Sequence, residues 1–420
     1  MLRLLKRIDY TLLITVATLI TISIFMIFSA SYIQLDNKYD TANVLVKHIS
    51  SLLIGIIFLF SFIFFNYKIF YRFWILIYSI GLIILLYVLF WGHASQGAQR
   101  WINLGFLAFQ PSEMAKLIII IALASLLNQK KEISSFADIA PLTIIVAIPF
   151  LLIAKQPDLG TALVFIFIFL CMLLMVKTTS KFIFMLFSPV ISLFLYLVVP
   201  IVFIYKVSLS WGIFMFCLVL FLIIKRTNII DISLTVIINT VTVYIFPSLF
   251  NLLKPYQKER MLAFINPQID PFAQGIRYHI DKSITAVASG GLWGQGWLKG
   301  ALSHLQYIPV QTSDFIFSVI AEETGFIGSI LVISLLMIII YRGIKISREA
   351  NDYFGSILAI GITSFFLFQI IVNIGMTIGI MPVVGIPLPF ISFGGSALIT
   401  NLAAIGLLES IHCRREKLFF

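Results

Sequence analysis

Asp314 is the residue of this chain best placed for acid–base chemistry. It follows Pro309 and Thr312-Ser313 and precedes Phe315-Ile316-Phe317, at the mouth of an apolar segment. A carboxylate held there suits a general base whose proton affinity is tuned by partial burial. It equally suits a helix start, where the dipole favours an acid and Thr312 or Ser313 provides the cap. Ser318 and Glu322 follow on the same helical face, and Glu322-Glu323 lie deeper, where carboxylates need partners. In FQPSEMAK, Pro111 fits a first helical turn, and Glu113 and Lys116 stand at i and i+3. They form either a salt bridge that solvates itself or a cavity wall whose ammonium meets an anion. Arg100, beside Trp101, reads as an interfacial anchor or as a phosphate clamp. Asp158, in the tight turn QPDLGT, reads as a helix cap or as part of the same cavity.

Two glycine-rich stretches accompany these residues. Ser289-Gly290-Gly291-Leu292-Trp293-Gly294-Gln295-Gly296 lacks the preceding strand and the Gly-Lys-Ser/Thr ending of a phosphate loop, which argues against a nucleotide site. Its glycines permit close backbone approach, and Trp293 and Trp297 suit a membrane surface or a sugar face. Gly379 to Ser396 carries three prolines and includes Ser392. Irregular backbone of this kind is tolerated at membrane depth only when it is buried in protein or lines a watery cavity. His279, in Arg277-Tyr278-His279, reads first as a loop hydrogen-bonding residue, and the five histidines show no zinc spacing.

The elements that position these groups follow from hydropathy. Sixty percent of the residues are hydrophobic and 11% are charged, which excludes an ordinary soluble domain. Apolar runs predict about 12 spans, near 10–30, 47–66, 71–91, 111–127, 139–155, 160–176, 182–205, 209–224, 229–250, 316–342, 354–380 and 391–412. With the N-terminus in the cytoplasm, this count puts 17 Lys and Arg on the inside and five in the short outside loops. Both termini are then cytoplasmic, and the polar stretch at about 254–313 faces outward. The net charge of +11 is therefore a topology signal, and no nucleic-acid partner is expected. Three cysteines provide no disulfide framework.

Taken together, GAQRWINLG (97–105), FQPSEMAK (109–116), QPDLGT (156–161), INPQIDPFAQGIRYHI (265–280), SGGLWGQGWLKG (289–300), SDFIFSVIAEETGFIG (313–328) and VNIGMTIGIMPVVGIPLPFISFGGSAL (372–398) resemble the SEDS family of cell-wall polymerases. GAQRW, Tyr278-His279 and PVVGIPLP are more similar to its elongation branch, RodA, than to its division branch, FtsW. Two departures stand out. The family reads Pro-Glu-x-His-Thr-Asp where this chain has Pro309-Val310-Gln311-Thr312-Ser313-Asp314, so only the Asp carries over. The family also has ten spans, which makes a pair within 182–250 an addition.

The resemblance implies an all-α polytopic bundle forming one membrane domain over 1–420 in the bacterial inner membrane. It implies a peptidoglycan glycosyltransferase that polymerises lipid II during elongation and rod-shape maintenance, releasing undecaprenyl diphosphate. Asp314 would be catalytic, and Arg100, Glu113, Lys116, Asp158, His279 and Ser392 would bind substrate. No metal site is read, although a divalent cation, Mg or Mn, is compatible with a diphosphate leaving group. The expected partners are lipid II with its growing glycan, a class B penicillin-binding protein and the rod-elongation complex. The rival readings are a lipid II flippase, the division paralogue, and a non-catalytic wall scaffold.

Overall fold

A bilayer interior offers no water to backbone polar groups, so an apolar chain folds there as helices that bond within themselves. The computed structural model describes residues 7–32, 38–95, 98–103, 105, 108–130, 132–156, 158–197, 207–252, 257–260, 276–304 and 310–415. In chain order the elements are α1 (Tyr10–Ser31), α2 (Lys38–Phe64), α3 (Lys68–Trp91), β1 (His93–Ser95), β2 (Ala98–Asn103), β3 (Ala108–Phe109), α4 (Pro111–Asn128), α5 (Phe136–Lys155) and α6 (Leu159–Met175). Then come α7 (Ser180–Leu197), α8 (Val207–Ile224), α9 (Ile229–Leu252), α10 (Ile276–Ser289), α11 (Ala301–His304), α12 (Ile316–Glu349), α13 (Tyr353–Thr377) and α14 (Gly395–Cys413).

Among the described residues, nine helices are long and apolar enough to cross a membrane, and three shorter apolar helices stand within α6, α7 and α8. These twelve occupy the positions of the expected spans. Three boundaries differ, the first being the end of α12, which runs on to Glu349. α2 begins at Lys38 because its polar first turns are helical too, and α14 begins at Gly395 because the preceding stretch is irregular. Residues 198–206, at the end of one expected span, and 261–275, in the expected outside loop, lie outside the described residues. The three strands form one small antiparallel meander, β1-β2-β3, which hydropathy does not signal.

The chain divides into two compact units, Met1–Gln129, Ile145–Met172 and Glu259–Phe420 in the first, and Lys130–Ile144 and Leu173–Lys258 in the second. In the second unit, Asn239 of α9 donates to Ser188 Oγ of α7 at 2.8 Å, and Ser192 donates to Asn239 Oδ1 at 2.6 Å. Such polar contacts join apolar helices where lipid weakens the hydrophobic drive.

α14 lies at the centre of the first unit, buried from Ser396 to Cys413. A Cβ at Gly406 would lie 2.6 Å from Leu59 O, so this glycine lets α14 press directly on α2. At the end where α1 begins, Asp9 caps α1 through Leu12 N, donates its own N–H to Glu409 Oε2, and pairs with Arg342. This links the start of α1 to the ends of α12 and α14. Asp314 belongs to the opposite end of the unit, where α1 finishes and α12 starts.

Candidate active site

The backbone around Asp314 is anchored from three sides. Asn373 of α13 donates from Nδ2 to Asp314 O at 2.9 Å and to Ile386 O at 2.7 Å. Ser392 donates to Ser313 O at 2.5 Å, and Phe393 N donates to Thr312 O at 2.9 Å. The other two anchors come from residues 378–394, a non-helical stretch whose Leu388, Phe390 and Ile391 are buried while Ile380 is exposed. The part of this irregular backbone next to Asp314 is therefore buried in protein. The turn needs Gly385, at φ +76°. A Cβ there would stand 3.3 Å from Asp314 Oδ2 and 3.6 Å from Arg260 Nη1, so the acid and the guanidinium close over the same glycine.

Asp314 does not sit in a capped helix start. α12 begins at Ile316, and no side chain caps it. Ser313 Oγ instead lies 3.2 Å from Asp314 Oδ1, as a donor. Asp314 is half-buried, and burial raises its carboxyl above the ordinary carboxylate value. Ser313, Arg260 and Arg100 oppose that rise, while Asp158 adds to it.

Asp158 and Arg100 meet near Asp314, close enough for the charge of each to act on its carboxyl. Asp158 Oδ1 accepts from Thr161 N at 3.3 Å, capping α6, and lies 3.8 Å from Arg100 Nη1. Its Oδ2 accepts from Gln110 Nε2 at 3.0 Å and Ser112 Oγ at 3.4 Å. Asp158 therefore serves as a helix cap and also holds Gln110, Ser112 and Arg100 together. Arg100, carried on β2, also donates from Nε to Gln156 O at 2.9 Å. The QPDLGT turn packs on the proline turn, since a Cβ at Gly160 would lie 2.8 Å from Val384 O.

Glu113 and Lys116 form a 2.7 Å pair, with side chains only 5% and 1% exposed. Lys116 Nζ also lies 5.1 Å over the Phe365 ring. Both side chains are buried, as a salt bridge that solvates itself would be. Among the described residues, Glu113 Oε2 finds no hydrogen-bond partner. His279 lies on α10, where burial, and then Arg260, lower its imidazole pKa. Ser392 serves as a backbone anchor.

The glycine stretch is a packing device. Gln295 N and Gly296 N donate to Glu322 O and Glu323 O at 2.9 and 3.0 Å, and Phe326 N donates to Gly291 O at 2.9 Å. A Cβ at Gly290 would lie 1.9 Å from Ala321 O. α12 itself breaks at Gly325, where φ is +68°. The deeper carboxylates have their partners. Glu322 accepts from Leu302 N at 2.7 Å and Ser303 N at 3.0 Å, and Glu323 accepts from Ser29 Oγ. Trp297 packs against Phe25 and Phe28, whereas Trp293 is 80% exposed.

Arg260, Gln110 and Asn373 are members of the site that residue-by-residue reading missed. Arg260 was one basic residue in a polar loop, and no local spacing ties it to Asp314. Among the described residues, no three His, Cys, Asp or Glu side chains gather to hold a metal. Asp158 is engaged by four protein donors, Thr161 N, Gln110 Nε2, Ser112 Oγ and Arg100.

The model of the FtsW, RodA and SpoVE family, described as cell cycle protein, matches residues 10–211 and 190–417. The peptidoglycan glycosyltransferase RodA of Treponema pallidum is 33% identical, over 97% of this chain and 98% of its own. The probable peptidoglycan glycosyltransferase FtsW of Buchnera aphidicola is 36% identical, over 85% of this chain and 77% of its own. A chain solved in a study of how a peptidoglycan synthase complex coordinates polymerization and crosslinking superposes with a TM-score of 0.68 at 26% identity, covering 98% of this chain and 99% of that one. The chain belongs to the FtsW, RodA and SpoVE family of cell cycle proteins.

Proposed function

We propose that this protein polymerises lipid II into glycan during cell elongation, with Asp314 as general base on the membrane face opposite both termini. Its family and curated relatives make it a peptidoglycan glycosyltransferase. The observation that carries the finer reading is the meeting of Asp314 and Arg260 over Gly385, near the Arg100–Asp158 pair, where burial also raises the Asp314 carboxyl. In this reading the acceptor hydroxyl gives its proton to Asp314 as its oxygen attacks the donor sugar. The bond from that sugar to the diphosphate breaks, and its electron pair leaves on the diphosphate. Arg100 and Arg260 stabilise the departing charge. Asp158 orients Arg100, Ser392 and Asn373 hold the Asp314 backbone, and the buried Glu113–Lys116 pair supports the start of α4. His279, near enough to Arg260 to feel its charge, is read as a further contact to the substrate.

Relatives named for both branches are about equally similar, so the elongation role rests on GAQRW, Tyr278-His279 and PVVGIPLP. The Lys and Arg asymmetry supports cytoplasmic termini. The likeness to a chain from a synthase complex supports a crosslinking partner, a class B penicillin-binding protein, within the rod-elongation machinery. The pair of helices within 182–250 is read as an addition, since every candidate residue falls in the other compact unit.

A flippase is the rival, favoured by the broken helix at Gly325. Incubating the purified chain with lipid II in detergent, where no bilayer exists to be crossed, separates the two. Glycan strands are expected. A preparation that is folded and binds lipid II but makes no glycan would sink the proposal.

A further inference from the structure

His48 of α2 is fully buried, a polar ring on a helix of membrane-spanning length. Its Nε2 lies 3.2 Å from the hydroxyl of Ser23 on α1, and that hydroxyl lies 2.7 Å from Ile391 O. A carbonyl oxygen only accepts, so the single Ser23 proton goes to Ile391. Ser23 must then accept from His48, which places the ring proton on Nε2. Nδ1 of the neutral ring is left as a bare acceptor, and it has no hydrogen-bond partner among the described residues. The useful end of this histidine is therefore Nε2–H, and it points along one chain of contacts.

That chain leads to the acid. Ile391, held by Ser23, is followed by Ser392, which donates to Ser313 O at 2.5 Å, and by Phe393, whose N–H donates to Thr312 O at 2.9 Å. The His48 ring also packs near Phe393, with 6.2 Å between ring centroids. Thr312 and Ser313 immediately precede Asp314, so α1 and α2 reach the site through three successive residues of a non-helical segment. That segment has no helical ladder of its own, which makes its outside anchors decisive for its position.

We propose that His48 is a positioning residue for Asp314, acting through the Ser23 hydroxyl on the Ile391–Phe393 backbone. The proposal rests on the reading of Asp314 as base. Neither His48 nor Ser23 touches the acid, so the effect is one of placement.

Two amide substitutions test it. The side-chain nitrogen of glutamine falls about where Nε2 lies, and that of asparagine about where Nδ1 lies. His48→Gln should retain lipid II polymerisation within about twofold, while His48→Asn and Ser23→Ala should each lower kcat about tenfold with little change in KM. The double variant His48→Asn/Ser23→Ala should be no worse than either single one, because both remove the same link. Thermal unfolding of the same four proteins reads the hydrogen bond without any activity. Wild-type kcat in His48→Asn, or kcat losses that multiply in the double variant, would overturn the proposal. Independent effects on Tm would show that His48 and Ser23 are not joined and would overturn it as well. A wild-type chain that makes no glycan would instead fail the reading of the enzyme, with the Tm cycle still judging the link.

Discussion

The Ser392 hydroxyl donates to the main-chain oxygen of Ser313 at 2.5 Å, across 79 residues of sequence, and accepts from Leu388 N at 2.8 Å. One small side chain thus joins the proline turn to the residue before Asp314. Ser392→Ala removes both bonds and leaves a buried N–H and C=O unmatched, at a cost of about 1–3 kcal/mol for each buried group left unpaired. Tm should fall, and polymerisation should fall by more than the loss of folded protein explains.

The pH profile should report the raised carboxyl. Activity requires ionised Asp314, so its acid limb should lie above the ordinary carboxylate range. Arg260 lowers that carboxyl and Asp158 raises it. Arg260→Gln should therefore move the limb to higher pH and Asp158→Asn to lower pH, as initial rates against pH would read. Stability runs the opposite way to activity. The unfolded carboxyl titrates near about 3.9, and the folded one higher, so stability falls as pH rises through that window. The Tm advantage of Asp314→Asn over wild type should grow across it.

The buried Glu113–Lys116 pair separates stability from activity. Glu113→Gln or Lys116→Met alone strands a buried charge and should cost about 3–5 kcal/mol. The double variant should regain most of that stability, because no lone charge remains. Recovery of Tm and glycan synthesis together would mark the pair as purely structural. Recovery of Tm alone would show that its charges serve the reaction.

The glycine stretch makes a contrast inside one segment. Gly290→Ala places a Cβ 1.9 Å from a backbone oxygen and should prevent folding. Gly291, one residue on, has φ +55° and open space, so Gly291→Ala should cost only about 1 kcal/mol, for its positive φ. Yield and Tm of the two variants check this directly.

Hydropathy made most of the helix framework legible, because each long helix with a lipid-facing surface must be apolar for about 20 residues. It was weakest where polarity and structure part company: the polar first turns of α2, the strand meander, and the buried stretch before Gly395. The spacing of Glu113 and Lys116 correctly signalled a pair, since i and i+3 share a face of any helix. The glycines signalled close approach but not its target, the break in α12 at Gly325. Arg260, Asn373 and His48 were illegible for one reason. Each meets the Asp314 segment only after distant parts of the chain have packed, and no local period encodes that.

Polymerisation of lipid II by the purified Asp314→Asn protein bears most directly on the central claim, read beside its Tm. The account predicts no glycan above the enzyme-free blank from a protein at least as stable as wild type at neutral pH. Glycan formed at the wild-type rate by that folded variant would contradict it.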